Sequence, residues 1–308
     1  MMPDLRVEIA GLELRNPLIL ASGTVGYGPE YESLIEFETV GAFVTKTVTV
    51  EPRAGNAPPR LVEAGGGLLN AIGLENVGLA AFLEEKLPEA ARLGAPLIAS
   101  VAATSDDQLE TLAGEVGRRP EVSALELNIS CPNVDRTENP LWNDPEGTAS
   151  FVGRARAATS KPLFLKLAPQ TASIEAVALA AEDAGADALV VANTMTGMRI
   201  DRRARRPVLG NATGGLSGPP LKPINLALVW RVGSRVGIPI IGSGGVSNAD
   251  DAVEYLMAGS TAVELGTTLY RSPGAATEIV GGLIDIMEED GTERISTYIG
   301  AARGEAAS

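Results

Sequence analysis

Histidine is absent from all 308 residues, and cysteine occurs once, at position 131. Without an imidazole the usual general base near neutral pH is missing, so any proton chemistry must rest on another side chain. A single cysteine permits no internal disulfide and no site of four thiolates, which excludes an iron–sulfur cluster or a cysteine-rich zinc site built by this chain alone. Aromatic residues make up only 4%, and 25 basic residues stand against 39 acidic ones for a net charge of −14. That balance argues against nucleic acid or an anionic membrane as the main partner. No apolar run reaches transmembrane length, and the start, MMPDLRVEIAGLELRNP, has neither an apolar signal core nor an amphipathic anchor. A cytoplasmic location is the expectation.

What is present is an ordinary globular composition, 45% hydrophobic, with 35 glycines and 20 prolines that call for many tight turns. Eight short apolar runs recur: PLILAS (17–22), AFVTKT (42–47), PLIASV (96–101), ALELN (124–128), PLFLKL (162–167), ALVVAN (188–193), PIIGSGG (239–245) and AVELGT (262–267). Continuous rather than alternating apolarity is the pattern of parallel strands buried on both faces. Helix-like stretches lie between most of them. Ser105 and Gln108 form a candidate capping box for a helix to about Arg118, the segment from Ser173 carries an apolar stripe and ends near Gly185, and Asn248 opens another helix to Met257. Strand–helix alternation on this scale points to a (β/α)8 TIM barrel, with an open doubly wound sheet as the alternative. The alternation around Gly11 predicts a short N-terminal β-hairpin. Two insertions, 48–78 and 193–219, follow predicted strands and are expected to overhang the catalytic face as long βα loops. No domain boundary is evident, so residues 1–308 read as one unit.

Barrel enzymes carry function at the C-terminal strand ends. Lysines within TKT and FLKLAP are costly inside apolar strands unless paired, which suggests an anionic ligand in the barrel mouth. Gly-bearing ends at the seventh and eighth strands, IGSGG and LGTT, suit a phosphate held by backbone N–H groups, and so a phosphorylated cofactor. Cys131 follows an apolar run within the polar string NISCPN, at a strand mouth, which sets it apart from a buried inert thiol. The arginines 199, 202, 203, 205 and 206 are a basic cluster on an acidic chain; a solvated loop, steering of an anionic substrate and a docking surface are all compatible with it.

In sequence order, NPLILASGTVGYGPEY, VTKTVT, LLNAIGLENVG, ELNISCPN, LKLAP, VVANTMTGM, GNATGGLSGPPLKPINL, PIIGSGGVS and ELGTTLY span nearly the whole chain. In these segments the chain resembles the flavin-containing catalytic subunits of the class 1 dihydroorotate dehydrogenases, most closely class 1B. The resemblance implies oxidation of (S)-dihydroorotate to orotate in pyrimidine synthesis, with FMN bound in a single barrel domain. It makes Cys131 the base that takes the C5 proton while hydride passes from C6 to N5 of the flavin. Flavin contacts carried over in this way are Ser22, Lys46, Thr47, Asn128, Lys166, Ala192, Gly218, Gly244, Gly245, Gly266 and Thr267. Substrate contacts carried over are Lys46, Asn70, Ala71, Ile72, Gly73, Leu74, Asn128, Asn193 and Thr194. No metal is implied. A partner subunit carrying FAD and an iron–sulfur cluster, with NAD as final acceptor, is implied too, in a heterotetramer around a homodimer.

Three departures from the family pattern stand out: SVAA from Ser100, the loop VDRTENPLWND after the cysteine, and IGSGG in place of IGMGG. The resemblance implies a loop that covers the active site, so its change is expected to bear on lid kinetics or on substrate choice. Alternatives to the main reading are a flavin enzyme for another dihydropyrimidine, fumarate as acceptor, a non-redox barrel for phosphorylated ligands and a non-catalytic barrel that binds a partner.

Overall fold

LRVEIAGLEL folds into a hairpin of β1 (Val7–Ile9) and β2 (Leu12–Leu14), with Val7 opposite Leu14. Ala10 and Gly11 turn it with φ of 52° and 79°, a doubly left-handed turn that matches the twist of paired strands. The computed structural model describes residues 3–129, 144–171 and 173–304.

All eight apolar runs become strands. Two of them, β3 (Leu18–Leu20) and β4 (Ala42–Val44), precede a pair outside the barrel, β5 (Leu61–Ala64) and β6 (Gly67–Asn70). The barrel resumes with β7 (Leu97–Val101), β8 (Val122–Asn128), β9 (Leu163–Lys166) and β10 (Ala188–Val191). A second excursion holds β11 (Met195–Met198), β12 (Ile200–Asp201), β13 (Arg206–Pro207) and β14 (Thr213–Ser217). The last two barrel strands are β15 (Ile240–Ser243) and β16 (Ala262–Leu265). The parallel strands close in the order β3-β4-β7-β8-β9-β10-β15-β16, and β16 pairs back onto β3 through Val263 and Leu18. This is the (β/α)8 barrel rather than the open sheet. Its strands are buried on both faces, as their unbroken apolarity requires.

The outer helices turn one stripe inward. Ile174, Val177, Ala178 and Ala181 are the buried positions of helix Ile174–Asp183, and Leu109, Leu112, Ala113 and Val116 are among those of Asp106–Gly117, at helical spacing in both cases. Side chains of Ser105, Ser173 and Asn248 accept backbone N–H groups and start these helices and Ala249–Met257. The capping box is displaced by one residue, because Gln108 Oε1 accepts from the N–H of Thr104 at 3.0 Å rather than from that of Ser105.

The two insertions do more than overhang the barrel. They combine into one antiparallel sheet, β11-β14-β6-β5, in which Gly215 of the second insertion faces Asn70 of the first. Gly215 is there because the packing is tight: a Cβ would lie 2.1 Å from Thr194 Oγ1. The basic cluster sits on the exposed β12–β13 hairpin, where Arg199 Nη1 donates to the carbonyl of Glu63 at 2.8 Å. Among the described residues no helix is long and apolar enough to cross a membrane.

Candidate active site

A cavity of about 520 Å³ opens at the C-terminal strand ends, roofed by the two-insertion sheet. Every residue named above as a flavin contact lines it: Ser22, Lys46, Thr47, Asn128, Lys166, Ala192, Gly218, Gly244, Gly245, Gly266 and Thr267. From the substrate set, Lys46, Asn70, Ile72, Gly73, Leu74, Asn128, Asn193 and Thr194 line it as well. Ala71 does not. It is fully buried in a small second core with Leu69 and Leu209, because successive residues of an extended chain face opposite ways. Cys131 lies outside the described residues.

One end of the cavity is backbone. Gly244 and Gly245 leave β15 with φ of 122° and 77°, a conformation that excludes side chains at low cost. A Cβ on Gly245 would stand 2.7 Å from the Lys222 nitrogen and 2.9 Å from the Gly218 carbonyl, so only glycine lets these chain segments meet. Tyr255 Oη donates to the Gly244 carbonyl at 2.7 Å, and Lys222 is held at its ammonium by Asp251 and Glu254. Asn225 Nδ2 donates to the carbonyls of Ala192 at 2.9 Å and Ser243 at 2.7 Å. It thus ties β10 to β15 at the mouth.

Hydroxyls and charges build the other end. Ser22 Oγ lies 3.2 Å from Thr47 Oγ1, which also accepts from Asn128 Nδ2 at 3.2 Å and lies 2.9 Å from Ser100 Oγ. Ser100 Oγ donates to Glu126 Oε1 at 3.0 Å. Ser100 is fully buried, so in this departure from the family pattern the hydroxyl serves the barrel interior rather than the cavity. Lys46 stands at the rim, with Nζ 3.9 Å from Glu75 Oε2, and Glu75 is clasped by Arg60.

Lys166 differs from its expected setting. The sequence reading left its counter-charge to a ligand, but the chain supplies it: Nζ lies 2.7 Å from Glu264 Oε2 and 3.5 Å from Glu126 Oε2. Lys166 is 5% exposed, Glu264 2% and Glu126 0%. Burial alone would lower the lysine's pKa, but the two glutamates outweigh it and hold the ammonium above its ordinary value. Both glutamates escaped the sequence reading, although ALELN and AVELGT carry the same signal as the lysine strands, a charge inside an apolar run. Tyr27, Tyr31 and Tyr270 also line the cavity and were not foreseen.

A barrel with its cavity at the strand C-termini, a glycine turn after β15 and a buried lysine has the architecture of a (β/α)8 enzyme site. Comparison with known proteins then specifies it. Residues 4–287 match the family described as dihydroorotate dehydrogenase, and the chain belongs to that family, which is flavin-dependent. It is 48% identical over 301 residues to the Dihydroorotate dehydrogenase B (NAD(+)), catalytic subunit, of Pelobacter propionicus, covering 98% of this chain and 99% of that one. The protein of the same name from Trichlorobacter lovleyi is 49% identical over 304 residues, 99% of this chain and 100% of that one. The one from Geobacter sulfurreducens is 46% identical over 299 residues, 97% and 98%.

Proposed function

We propose that the chain oxidises dihydroorotate to orotate with FMN as its cofactor, all of residues 1–308 acting as one FMN-binding unit. The observation that carries this reading is a cavity that joins the glycine turn after β15 to Lys166 and asparagine amides, in a dihydroorotate dehydrogenase family member. Gly244 and Gly245, with φ of 122° and 77°, line the cavity as bare backbone at the end of the seventh barrel strand, which suits a phosphate held by N–H groups. Gly218, Gly244, Gly245, Gly266 and Thr267 would hold the phosphate end, and Ser22, Lys46, Thr47, Asn128, Lys166 and Ala192 the ring. When bound, FMN supplies the hydride acceptor.

The remaining work belongs to the protein. Asn70, Asn128 and Asn193 carry amides that both donate to carboxylate or carbonyl oxygens and accept from a ring N–H, which suits a dihydropyrimidine acid. Lys46, at the rim, offers a cation to its carboxylate. Ile72, Gly73 and Leu74 follow β6 and line the cavity, so the roof sheet brings them to the ligand. Cys131 follows Asn128 by three residues in the chain, and in a protein without histidine it is the base for the C5 proton. A free thiol has a pKa of about 8.5, so the rate should climb with pH toward that value.

The related catalytic subunits carry NAD(+) in their names. Electrons leave this chain, in the same reading, for a partner subunit that holds FAD and an iron–sulfur cluster and reduces NAD, with a homodimer of this chain at the centre. The test is purification of the chain alone. It should come out yellow, release FMN on denaturation, accept electrons from dihydroorotate and leave NAD unreduced until such a partner is added. A colourless protein after reconstitution with FMN refutes the cofactor, and NAD reduction by the chain alone refutes the partner.

A further inference from the structure

The mechanism above employs Lys166 but not the two glutamates that hold it. β8 and β16 stand four places apart in the closed eight-strand order, on opposite walls of the barrel. Each sends one glutamate inward, Glu126 and Glu264, and both side chains are only 1% exposed. Three of the four carboxyl oxygens have donors: Glu126 Oε1 accepts from Ser100 at 3.0 Å, Glu126 Oε2 lies 3.5 Å from Lys166 Nζ, and Glu264 Oε2 lies 2.7 Å from it. The fourth, Glu264 Oε1, is buried and has no donor among the described residues. Glu264 also lines the cavity, beside Lys166 and Asn128.

Both carboxyl groups converge on one ammonium, with Glu126 Oε2 and Glu264 Oε2 at 3.5 and 2.7 Å from Lys166 Nζ. Two ionised carboxylates gathered on one ammonium repel each other, and a proton on either relieves the repulsion. Charge leads to the same state. Two ionised glutamates and one lysine leave an uncompensated negative charge on buried side chains, whereas one shared proton makes the cluster neutral. The groups that face Glu126 from the neighbouring elements are Ser100 on β7, Lys166 on β9 and Glu264 on β16. Lys46, the other lysine of the cavity, has its ammonium directed to Glu75.

We propose that Glu126 and Glu264 are a carboxyl pair built around a single proton, and that this pair binds its proton more tightly when the cavity floor gains negative charge, so that two-electron reduction of the protein is coupled to proton uptake. The second half rests on the flavin reading given above. The atoms balance without another reactant. Substrate gives up a hydride, and a proton to the base; an O–H bond forms on the carboxyl pair with a proton drawn from the buffered solvent, and the same bond breaks, returning that proton to solvent, when the electrons leave. Glu264 is then a positioning residue, acting on the reaction through Lys166 and through the charge of the cavity floor. Burial raises Glu126 to about 7, with Glu264 adding to the rise and Lys166 and Ser100 opposing it, so the coupling operates close to neutral pH.

The test is the midpoint potential of the bound flavin against pH, in the holoenzyme and in Glu264→Gln. Each linked proton adds about 30 mV per pH unit to a two-electron potential. Above the Glu126 value of about 7, the wild-type line should be steeper than that of Glu264→Gln by up to about 30 mV per pH unit. Equal slopes overturn the coupling. The shared proton has its own readout, infrared difference spectroscopy on the protein as purified, whether or not it carries flavin. A buried carboxylic acid band that titrates near neutral pH should be present in wild type and lost in both Glu264→Gln and Glu126→Gln. A band unchanged in both variants overturns the shared proton, and either variant suffices if the other does not fold. A protein that shows the band yet binds no flavin refutes the flavin reading while the proton stands.

Discussion

Asn225 and Gly244 are interlocked: Asn225 Nδ2 binds the carbonyls on either side of the β10–β15 seam, and a Cβ on Gly244 would come within 2.6 Å of that nitrogen. The cavity's backbone end therefore depends on a helix side chain that does not line it. Asn225→Ala strips a donor from two buried carbonyls, each such loss costing about 1–3 kcal/mol. Urea unfolding of the holoenzyme should show a loss of about 2 kcal/mol or more. FMN release should be faster in the same variant. A loss within about 0.5 kcal/mol, the range of ordinary surface substitutions, would remove Asn225 from this role.

Gly245→Ala tests the phosphate cleft. Its Cβ meets a backbone nitrogen and a backbone carbonyl, neither of which can rotate away. Strain of about 1–3 kcal/mol is expected, and FMN affinity should fall by about tenfold or more, since 1.4 kcal/mol is a factor of ten. Fluorescence titration of the apoprotein with FMN measures it. Unchanged affinity would place the phosphate elsewhere.

Most of the barrel was legible in the sequence because a parallel strand buried on both faces leaves a mark that needs no partner to be read. PLFLKL and AVELGT are recognisable alone, and the cap residues Ser105, Ser173 and Asn248 mark where helices begin. The roof sheet was not legible. β14 is TGGLS and β11 is MTGM, strands held by backbone pairing and close packing across glycine, without apolar alternation. Ala71 was carried over with its neighbours from the family resemblance, which does not reveal the side it faces. Glu126 and Glu264 were visible as charges in apolar strands, but that both reach Lys166 depends on opposite walls of a closed barrel, and no local pattern records closure.

The pH dependence of stability follows from Glu126. Its folded value of about 7 exceeds the ordinary 4.5, so the folded state binds the proton more tightly than the unfolded chain. The stability this contributes is fully present below about 4.5 and is lost as pH rises to about 7. Glu126→Gln has no such proton. The stability of wild type relative to Glu126→Gln, from urea unfolding at a series of pH values, should therefore decline across that window and level off above it. A difference that rises with pH would reverse the sign and contradict the raised carboxyl.

Cys131→Ser should retain the flavin and slow its reduction by dihydroorotate about 10²- to 10⁴-fold at neutral pH, because a serine hydroxyl is too weak an acid to act as base there. Rapid-mixing rates within about threefold of wild type, far short of the loss expected for a base, would assign the base elsewhere.

The most direct measurement is anaerobic rapid mixing of the purified chain, without partner, with dihydroorotate and separately with dihydrouracil, following flavin absorbance. Full bleaching by dihydroorotate, with orotate formed one for one with flavin, and little or none by dihydrouracil, is the outcome expected of a dihydroorotate dehydrogenase. Flavin that stays oxidised with dihydroorotate, or is bleached faster by dihydrouracil, would contradict it.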